Sequence, residues 1–280
     1  MNIFGFCQIY GVTCSLCNLL LVNNEITPNF WRAATDNDDV HNAHLENVMP
    51  WRNAYKNRDK LKINIEKQSR DEIIISSKFH MPHRNVDGSL IYTIKQNGIV
   101  GVTMQVDLQH VPTAKELIKV GMQIPTSKSL DEITWYGRGP LENYIDRNYA
   151  ANLGRYQMPL DQFYVNYIKP QASSNRTDTR WLSISSSQQL GLKVIPEQPI
   201  EFSISPYHID ELSSKRHPHR LQQTNSNWLN IDLIQRGVGG DTGWGESALA
   251  IPQYRIKPDI YQYSFWLVPV TASNDKKNVL

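Results

Sequence analysis

Two carboxylates in one loop are the first candidates for chemistry in this sequence. Glu142 and Asp146 lie in the segment WYGRGPLENYIDR, residues 135–147. Hydrolysis of a glycosidic bond uses two carboxyl groups about 5–10 Å apart, and this sequence spacing allows such a pair. However, Arg138 and Arg147 are close in the sequence, and an arginine partner lowers a carboxyl pKa, the wrong direction for a general acid. We therefore interpret both carboxylates as structural.

A glycine-rich segment holds the second candidate. Residues 237–245 read GVGGDTGWG, in which Asp241 and Trp244 stand among five glycines. Such a run can cradle a phosphate, but no helical pattern follows it, which argues against a dinucleotide site. Glycine permits close approach of a ligand, and an aromatic ring on such a loop suits stacking against the C–H groups of a sugar. Sugar stacking by Trp244 and simple closure of a sheet end remain as alternatives.

Two other polar runs favour structural interpretations. Asp36-Asn37-Asp38 groups oxygen ligands as calcium sites do, but the glycine and the remaining ligands of an EF-hand loop are missing. We interpret this run as a turn that caps backbone N–H groups. Arg176, Asp178 and Arg180 alternate, so on a strand they would share one face as an ion-pair ladder of small energy.

Cysteine and histidine patterns do not predict a metal or redox centre. The cysteines are Cys7, Cys14 and Cys17, an odd number without partners elsewhere in the chain. Cys14 and Cys17 form a C-x-x-C pair, but two further ligands at a suitable spacing are lacking. The histidines at 208, 217 and 219 are interpreted as surface or capping residues. We expect no metal and no cofactor in this chain.

Composition excludes several classes of partner. The 280 residues carry 29 basic and 27 acidic side chains, and 40% of the residues are hydrophobic. This near balance argues against nucleic acid or an anionic membrane as partner, and the hydrophobic content is that of a globular protein.

The N-terminal residues 1–25 differ from the rest of the chain. Residues 4–22 are largely apolar and uncharged. They lack the positive start of a signal peptide, and polar residues interrupt the approximately 20 apolar residues that a membrane span needs. We interpret residues 1–25 as an atypical segment with a truncated or altered start, and we expect a cytoplasmic protein.

The elements that must position the candidate residues are strands. Apolar residues alternate with polar ones in many segments after residue 70, a period of two that predicts half-buried strands. These segments are 100–108, 118–124, 182–184, 200–204 and 229–233, and the apolar runs 73–75 and 90–94 predict further strands. Asn97-Gly98 predicts a hairpin turn, and 261–268, apolar on both faces, predicts a central strand covered on both sides. Short helices are expected only near 53–61 and 141–149. The pattern predicts one all-β domain, a large antiparallel β-sandwich.

Four segments together resemble the small subunit, or C-terminal domain, of the family 2 β-galactosidases. They are PNFWRAATDND at 28–38, WYGRGPLENYIDR at 135–147, NYIKPQASSNRTDTRW at 166–181 and GVGGDTGW at 237–244. Their order and spacing are similar to the family pattern, and the resemblance covers residues 26–280. It implies a supersandwich of the galactose-mutarotase-like type. Residues 171–175 depart from the family, which usually has an acidic residue and a glycine there.

The resemblance also implies a function. Catalytic residues would lie in a separate TIM-barrel subunit, which is also where metal ions would bind, so no catalytic residue is expected here. This chain would complete the galactose pocket of that large subunit, with Trp244 stacking on the sugar and Asp241 and the glycines positioning its loop.

Two other functions remain open on the same fold. A self-contained aldose epimerase would move protons at the anomeric centre with a histidine and a carboxylate, and His208 and Glu211 are the first candidates. A carbohydrate-binding module would use Trp244 without any enzyme partner.

Overall fold

The chain is represented by a computed structural model that describes residues 13–14, 19–20, 22, 25–39, 48–111 and 117–270. Its strands, in chain order, are β1 (Thr13–Cys14), β2 (Leu19–Leu20), β3 (Thr27–Asn29), β4 (Asp59–Gln68), β5 (Glu72–Met81), β6 (Val86–Lys95), β7 (Val100–Asp107), β8 (Lys119–Ser127), β9 (Glu132–Gly139), β10 (Asn152–Pro159), β11 (Arg176–Thr179), β12 (Trp181–Ser185), β13 (Gly191–Pro196), β14 (Ile200–Ser205), β15 (Ser226–Gln235) and β16 (Ile260–Val270). The α-helices that lie wholly within these residues are α1 (Asp36–Asp39), α2 (Leu160–Phe163) and α3 (Ile209–Ser214).

Two antiparallel sheets form the body of the described protein. The larger has nine strands in the order β10-β9-β12-β13-β16-β7-β6-β5-β4, and the smaller has five in the order β11-β14-β15-β8-β3. Both contribute the apolar positions of their strands to one shared hydrophobic core. The predicted all-β antiparallel sandwich is therefore confirmed.

Alternation along the strands explains which side chains reach this core. In β7, Val100, Val102, Met104 and Val106 are buried, as the period of two predicts. The predicted hairpin at Asn97-Gly98 is also confirmed, because Gly98 has φ +83° and its N–H donates to the Lys95 carbonyl at 3.0 Å.

The prediction for the segment 261–268 is correct in position and wrong in burial. β16 lies centrally, between β13 and β7, but its residues alternate between buried and partly exposed. The strand that is buried on both faces is β8. Val120, Met122 and Ile124 lie in the core, while Lys119 and Gln123 are buried on the opposite face.

Both predicted helices are wrong. Residues 53–61 run from a 3₁₀ turn at Met49–Asn53 into the edge strand β4. Residues 141–149 form an irregular loop, because side chains there bond to other segments instead of leaving the backbone to bond to itself. Asn143 shows this, since its Oδ1 accepts from the Thr177 N–H at 3.0 Å and its own N–H donates to the Asn175 carbonyl at 2.9 Å.

The segment 1–25 is described only in part. β1 and β2 pair in antiparallel fashion, with Thr13 opposite Leu20 and Cys14 opposite Leu19. Val22 is buried and bridges to Thr126 of β8. Cys7 and Cys17 lie outside the described residues. Among the residues that the structure describes, none of the helices is long and apolar enough to cross a membrane.

Candidate functional site

Four segments that are distant in sequence meet in what we call the loop cluster, residues 30–39, 140–151, 164–175 and 236–249. Asn37 Nδ2 donates to the Val238 carbonyl at 2.9 Å, and the Gly239 N–H donates to Asp146 Oδ2 at 2.8 Å. Gln171 Nε2 donates to Asp36 Oδ2 at 3.0 Å, which ties the third segment to the first. The segments identified from sequence are thus assembled into one place by the fold.

A buried group of two arginines and one aspartate holds the base of the loop cluster. Arg32 binds Asp38 through two bonds, Nε to Oδ2 at 3.0 Å and Nη2 to Oδ1 at 3.1 Å, and Arg236 Nη2 reaches Oδ1 at 2.5 Å. Arg32 also donates to the carbonyls of Arg236 at 2.7 Å and Gly237 at 3.1 Å. Burial alone would raise the pKa of the Asp38 carboxyl, but the charges of Arg32 and Arg236 outweigh it and hold that pKa well below its usual range.

Asp38 has the capping role that the sequence predicts. Its Oδ2 accepts from the Thr35 N–H at 3.0 Å, while Thr35 Oγ1 accepts from the Asp38 N–H at 3.3 Å, which is a reciprocal capping box at the start of α1. Within the described ranges, no group of three His, Cys, Asp or Glu side chains is arranged to hold a metal ion. Sequence reasoning missed the two arginines, because nothing in the spacing of 32, 38 and 236 reveals that they meet.

The glycine-rich loop, residues 237–245, directly follows Arg236 and exposes Trp244 to solvent. The Trp244 side chain is 76% exposed. Thr242 closes the turn, since its Oγ1 donates to the Trp244 carbonyl at 2.8 Å and its N–H donates to the Ser247 carbonyl at 3.2 Å. A Cβ on Gly240 would lie 2.2 Å from the Ser247 carbonyl oxygen, so only glycine fits there. Asp241 is exposed in the same turn.

Glu142 and Asp146 hold the loops together, in agreement with their interpretation from sequence. Glu142 accepts from the Ser174 N–H at 2.7 Å, from Arg147 Nη2 at 3.0 Å and from the Tyr167 hydroxyl. Ser174 has φ +68°, a conformation that favours glycine. The departure at 171–175 therefore leaves a serine in a glycine-type conformation, where its Oγ accepts from the Val165 N–H at 2.8 Å.

The predicted ion-pair ladder of Arg176, Asp178 and Arg180 is wrong as a ladder, although Asp178 forms an ion pair with Arg138 of β9. β11 ends at Thr179, and its pairing with β14 shifts between Arg176 and Thr179, with Asp178 at φ +53°. Arg176 turns inward instead, with its guanidinium 4.2 Å from the Phe163 ring centre, and burial lowers its pKa to about 10.

His208 and Glu211, the candidates for an epimerase, border an open cleft of about 620 Å³ beside α3. His208 Nδ1 caps α3 by accepting from the Asp210 N–H at 3.2 Å, and its ring contacts Trp228 at 4.3 Å. Glu211 accepts from the Gln222 N–H at 3.0 Å. Burial lowers the pKa of His208. Both side chains therefore hold local structure.

A buried polar network beneath the loop cluster was not predicted from sequence. Glu201 lies opposite Asp232 in the pairing of β14 with β15, and Asp232 forms an ion pair with Lys119 at 3.0 Å. Glu201 also accepts from Asn175 Nδ2 at 2.6 Å and from the Gln235 N–H at 3.1 Å. The network links the smaller sheet to the loops above it. In the sequence, the polar residues that alternate along β8, β14 and β15 indicate strand faces exposed to solvent. In the folded protein, the loop cluster covers these faces.

Glu201 makes protein stability depend on pH. Burial raises the pKa of its carboxyl to about 8, whereas an unfolded chain has the ordinary value near 4.3. Between those values the folded state holds a proton that the unfolded state has lost, so the free energy of unfolding falls as pH rises, by up to about 1.4 kcal/mol per pH unit. Glu201→Gln should remove this dependence.

Urea unfolding curves at pH 5, 6, 7 and 8 measure this effect. The control is Glu197→Gln, an exposed position just before β14, which should keep the slope of the parent chain. An unchanged slope in the Glu201 variant would show that this carboxyl does not bind the proton.

Comparison with known proteins places the chain in a family. Residues 6–267 match the family model described as β-galactosidase small chain. The chain is 31% identical over 253 residues to a β-galactosidase of Priestia megaterium, covering 89% of this chain and 24% of that protein. It is 30% identical over 248 residues to a β-galactosidase of Oenococcus oeni, covering 84% of this chain and 23% of that protein. The chain thus spans about a quarter of the length of these relatives.

A solved galactose 1-epimerase from Lactobacillus acidophilus is similar at a TM-score of 0.44 and 6% identity, over 76% of this chain and 67% of that one. At this level of likeness, the fold class rests on the two sheets themselves. The sequence match is much stronger evidence than this structural likeness, because the family model spans nearly the whole chain and contains all four segments of the loop cluster. The resemblance seen in the sequence is confirmed, and the chain belongs to the family of β-galactosidase small chains.

Proposed function

We propose that this chain is the non-catalytic small subunit of a heteromeric β-galactosidase. It completes the sugar pocket of a large catalytic subunit that hydrolyses terminal β-D-galactosides such as lactose. The observation that carries the proposal is Trp244, a large aromatic side chain that is 76% exposed on a loop anchored at its base. An indole face on such a loop suits stacking against the C–H groups of a galactose ring. The catalytic groups that act on this sugar would come from another chain.

Three carboxylates of the loop cluster have structural partners, which supports a non-catalytic role. Asp38 is bound by two arginines, Glu142 is bound by Arg147 and a backbone N–H, and Asp146 accepts from Gly239. A general acid for glycoside hydrolysis needs a raised pKa, which a neighbouring arginine opposes. The proposal assigns no cofactor to this chain, leaves metal ions to the large subunit and places the complex in the cytoplasm.

The epimerase alternative is not favoured. Its two candidate side chains already accept hydrogen bonds from the backbone. His208 accepts from the Asp210 N–H at the start of α3, and Glu211 accepts from the Gln222 N–H. Aldose mutarotation by the isolated chain would support the alternative, so this assay is included below.

The test is hydrolysis of o-nitrophenyl-β-galactoside by this chain alone, by the large subunit of a two-subunit β-galactosidase alone, and by the mixture. We expect the mixture to exceed the sum of its parts, because the sugar pocket is complete only there. Hydrolysis by this chain alone, or a folded chain that adds nothing to the large subunit, would overturn the proposal. Mutarotation without hydrolysis would replace it by the epimerase.

A further inference from the structure

The four most exposed large apolar side chains among the described residues all belong to the loop cluster. They are Leu141 at 67%, Tyr149 at 102%, Ile168 at 90% and Trp244 at 76% exposure. Apolar side chains scattered singly on a surface are ordinary, but a group on adjacent loops marks an interaction site.

The loops that carry these side chains are held in place by their neighbours. Ile168 lies between Tyr167, whose hydroxyl donates to Glu142, and Lys169, whose ammonium group binds Asp39. Leu141 immediately precedes the same Glu142, whose other oxygen accepts from the Ser174 N–H at 2.7 Å. The exposed side chains are therefore presented on an anchored backbone, which lowers the ordering cost of binding a partner.

Arg147 and Lys169 place partly exposed charges beside the apolar side chains. Arg147 forms an ion pair with Glu142 at 3.0 Å, and Lys169 lies between two carboxylates of α1. An apolar centre with a charged rim is the usual composition of a protein interface.

We infer that Leu141, Tyr149 and Ile168 dock the large catalytic subunit and are buried by it, and that this contact directs Trp244 to the sugar. The inference rests on the proposed function. It commits to the catalytic subunit because Trp244 shares the loop cluster with the other three, so a partner whose pocket receives Trp244 must approach the same loops. A second copy of this chain on this surface would instead cover Trp244.

The test is a titration of the large subunit with Leu141→Ser, Ile168→Ser and the double variant, followed by galactoside hydrolysis. We expect each single change to raise the half-saturating concentration about 10-fold or more, and the double change to raise it further. Higher concentrations of the variant chain should offset the loss. Because both side chains are exposed, thermal unfolding of the free chain should not change.

The matched control is Ile65→Ser, an aliphatic side chain that is 61% exposed on the edge strand β4, outside the loop cluster. It should leave the half-saturating concentration at the parent value. If the parent mixture is active but the Leu141 and Ile168 variants saturate like the parent, the docking surface is wrong and the subunit function stands. If the parent mixture is inactive, the proposed function itself fails.

Discussion

Replacing Asp38 by alanine is expected to lower the free energy of unfolding by about 3–5 kcal/mol, because it leaves two buried guanidinium groups without their shared carboxylate. Arg32 keeps its bonds to the carbonyls of Arg236 and Gly237, but its charge and that of Arg236 then face each other in the interior. Since domains are stable by only about 5–15 kcal/mol, the loss is a large part of the total. Urea unfolding followed by tryptophan fluorescence measures it.

The sign of the pH dependence gives a second readout for the same variant. The folded-state pKa of Asp38 is lowered, so its stabilisation is present above about pH 4 and is lost as pH falls through the lowered value. The alanine variant should lack this acid-sensitive part. Asp36→Ala is the control, because Asp36 lies in the same helix but is exposed, and it should cost only about 1 kcal/mol through loss of its hydrogen bond from Gln171. Equal losses in both variants would contradict the role of the arginine–aspartate group.

Replacing Trp244 by alanine is expected to reduce kcat/KM of the reconstituted complex about 30-fold or more. Loss of a fully desolvated aromatic contact costs about 2 kcal/mol or more, and each 1.4 kcal/mol is a factor of ten. Trp244→Phe keeps an aromatic face and should recover most of the activity. The assay uses a saturating concentration of the small chain, so that weakened docking does not contribute to the difference.

The control for this experiment is Tyr136→Ala. Tyr136 is a partly exposed aromatic residue on β9, outside the loop cluster, so its removal should leave kcat/KM unchanged. If Trp244→Ala also leaves the kinetics unchanged at saturation, Trp244 does not touch the sugar. Its loop, closed by Thr242 and Ser247, would then serve docking alone.

Much of the fold could be predicted from the sequence because side-chain direction alternates along a strand. β7 is an example, since its four buried positions are those that the period of two selects. Asn97-Gly98 was equally informative, because the turn needs a positive φ that glycine adopts without strain. The short helices were missed or misplaced. A four-residue helix such as α1 has too few residues for a periodic pattern, and its start depends on one capping box.

The sequence by itself determined that this protein is an antiparallel β-sandwich and that four loop segments carry its distinguishing residues, because both properties depend on local patterns. Only the tertiary structure decided that Arg32, Asp38 and Arg236 share one buried site, since that contact joins residues 204 positions apart. It also decided that the polar face of β8, β14 and β15 is covered by loops, which raises the pKa of Glu201. Burial and long-range charge contacts depend on which segments meet, and that is a property of the folded chain.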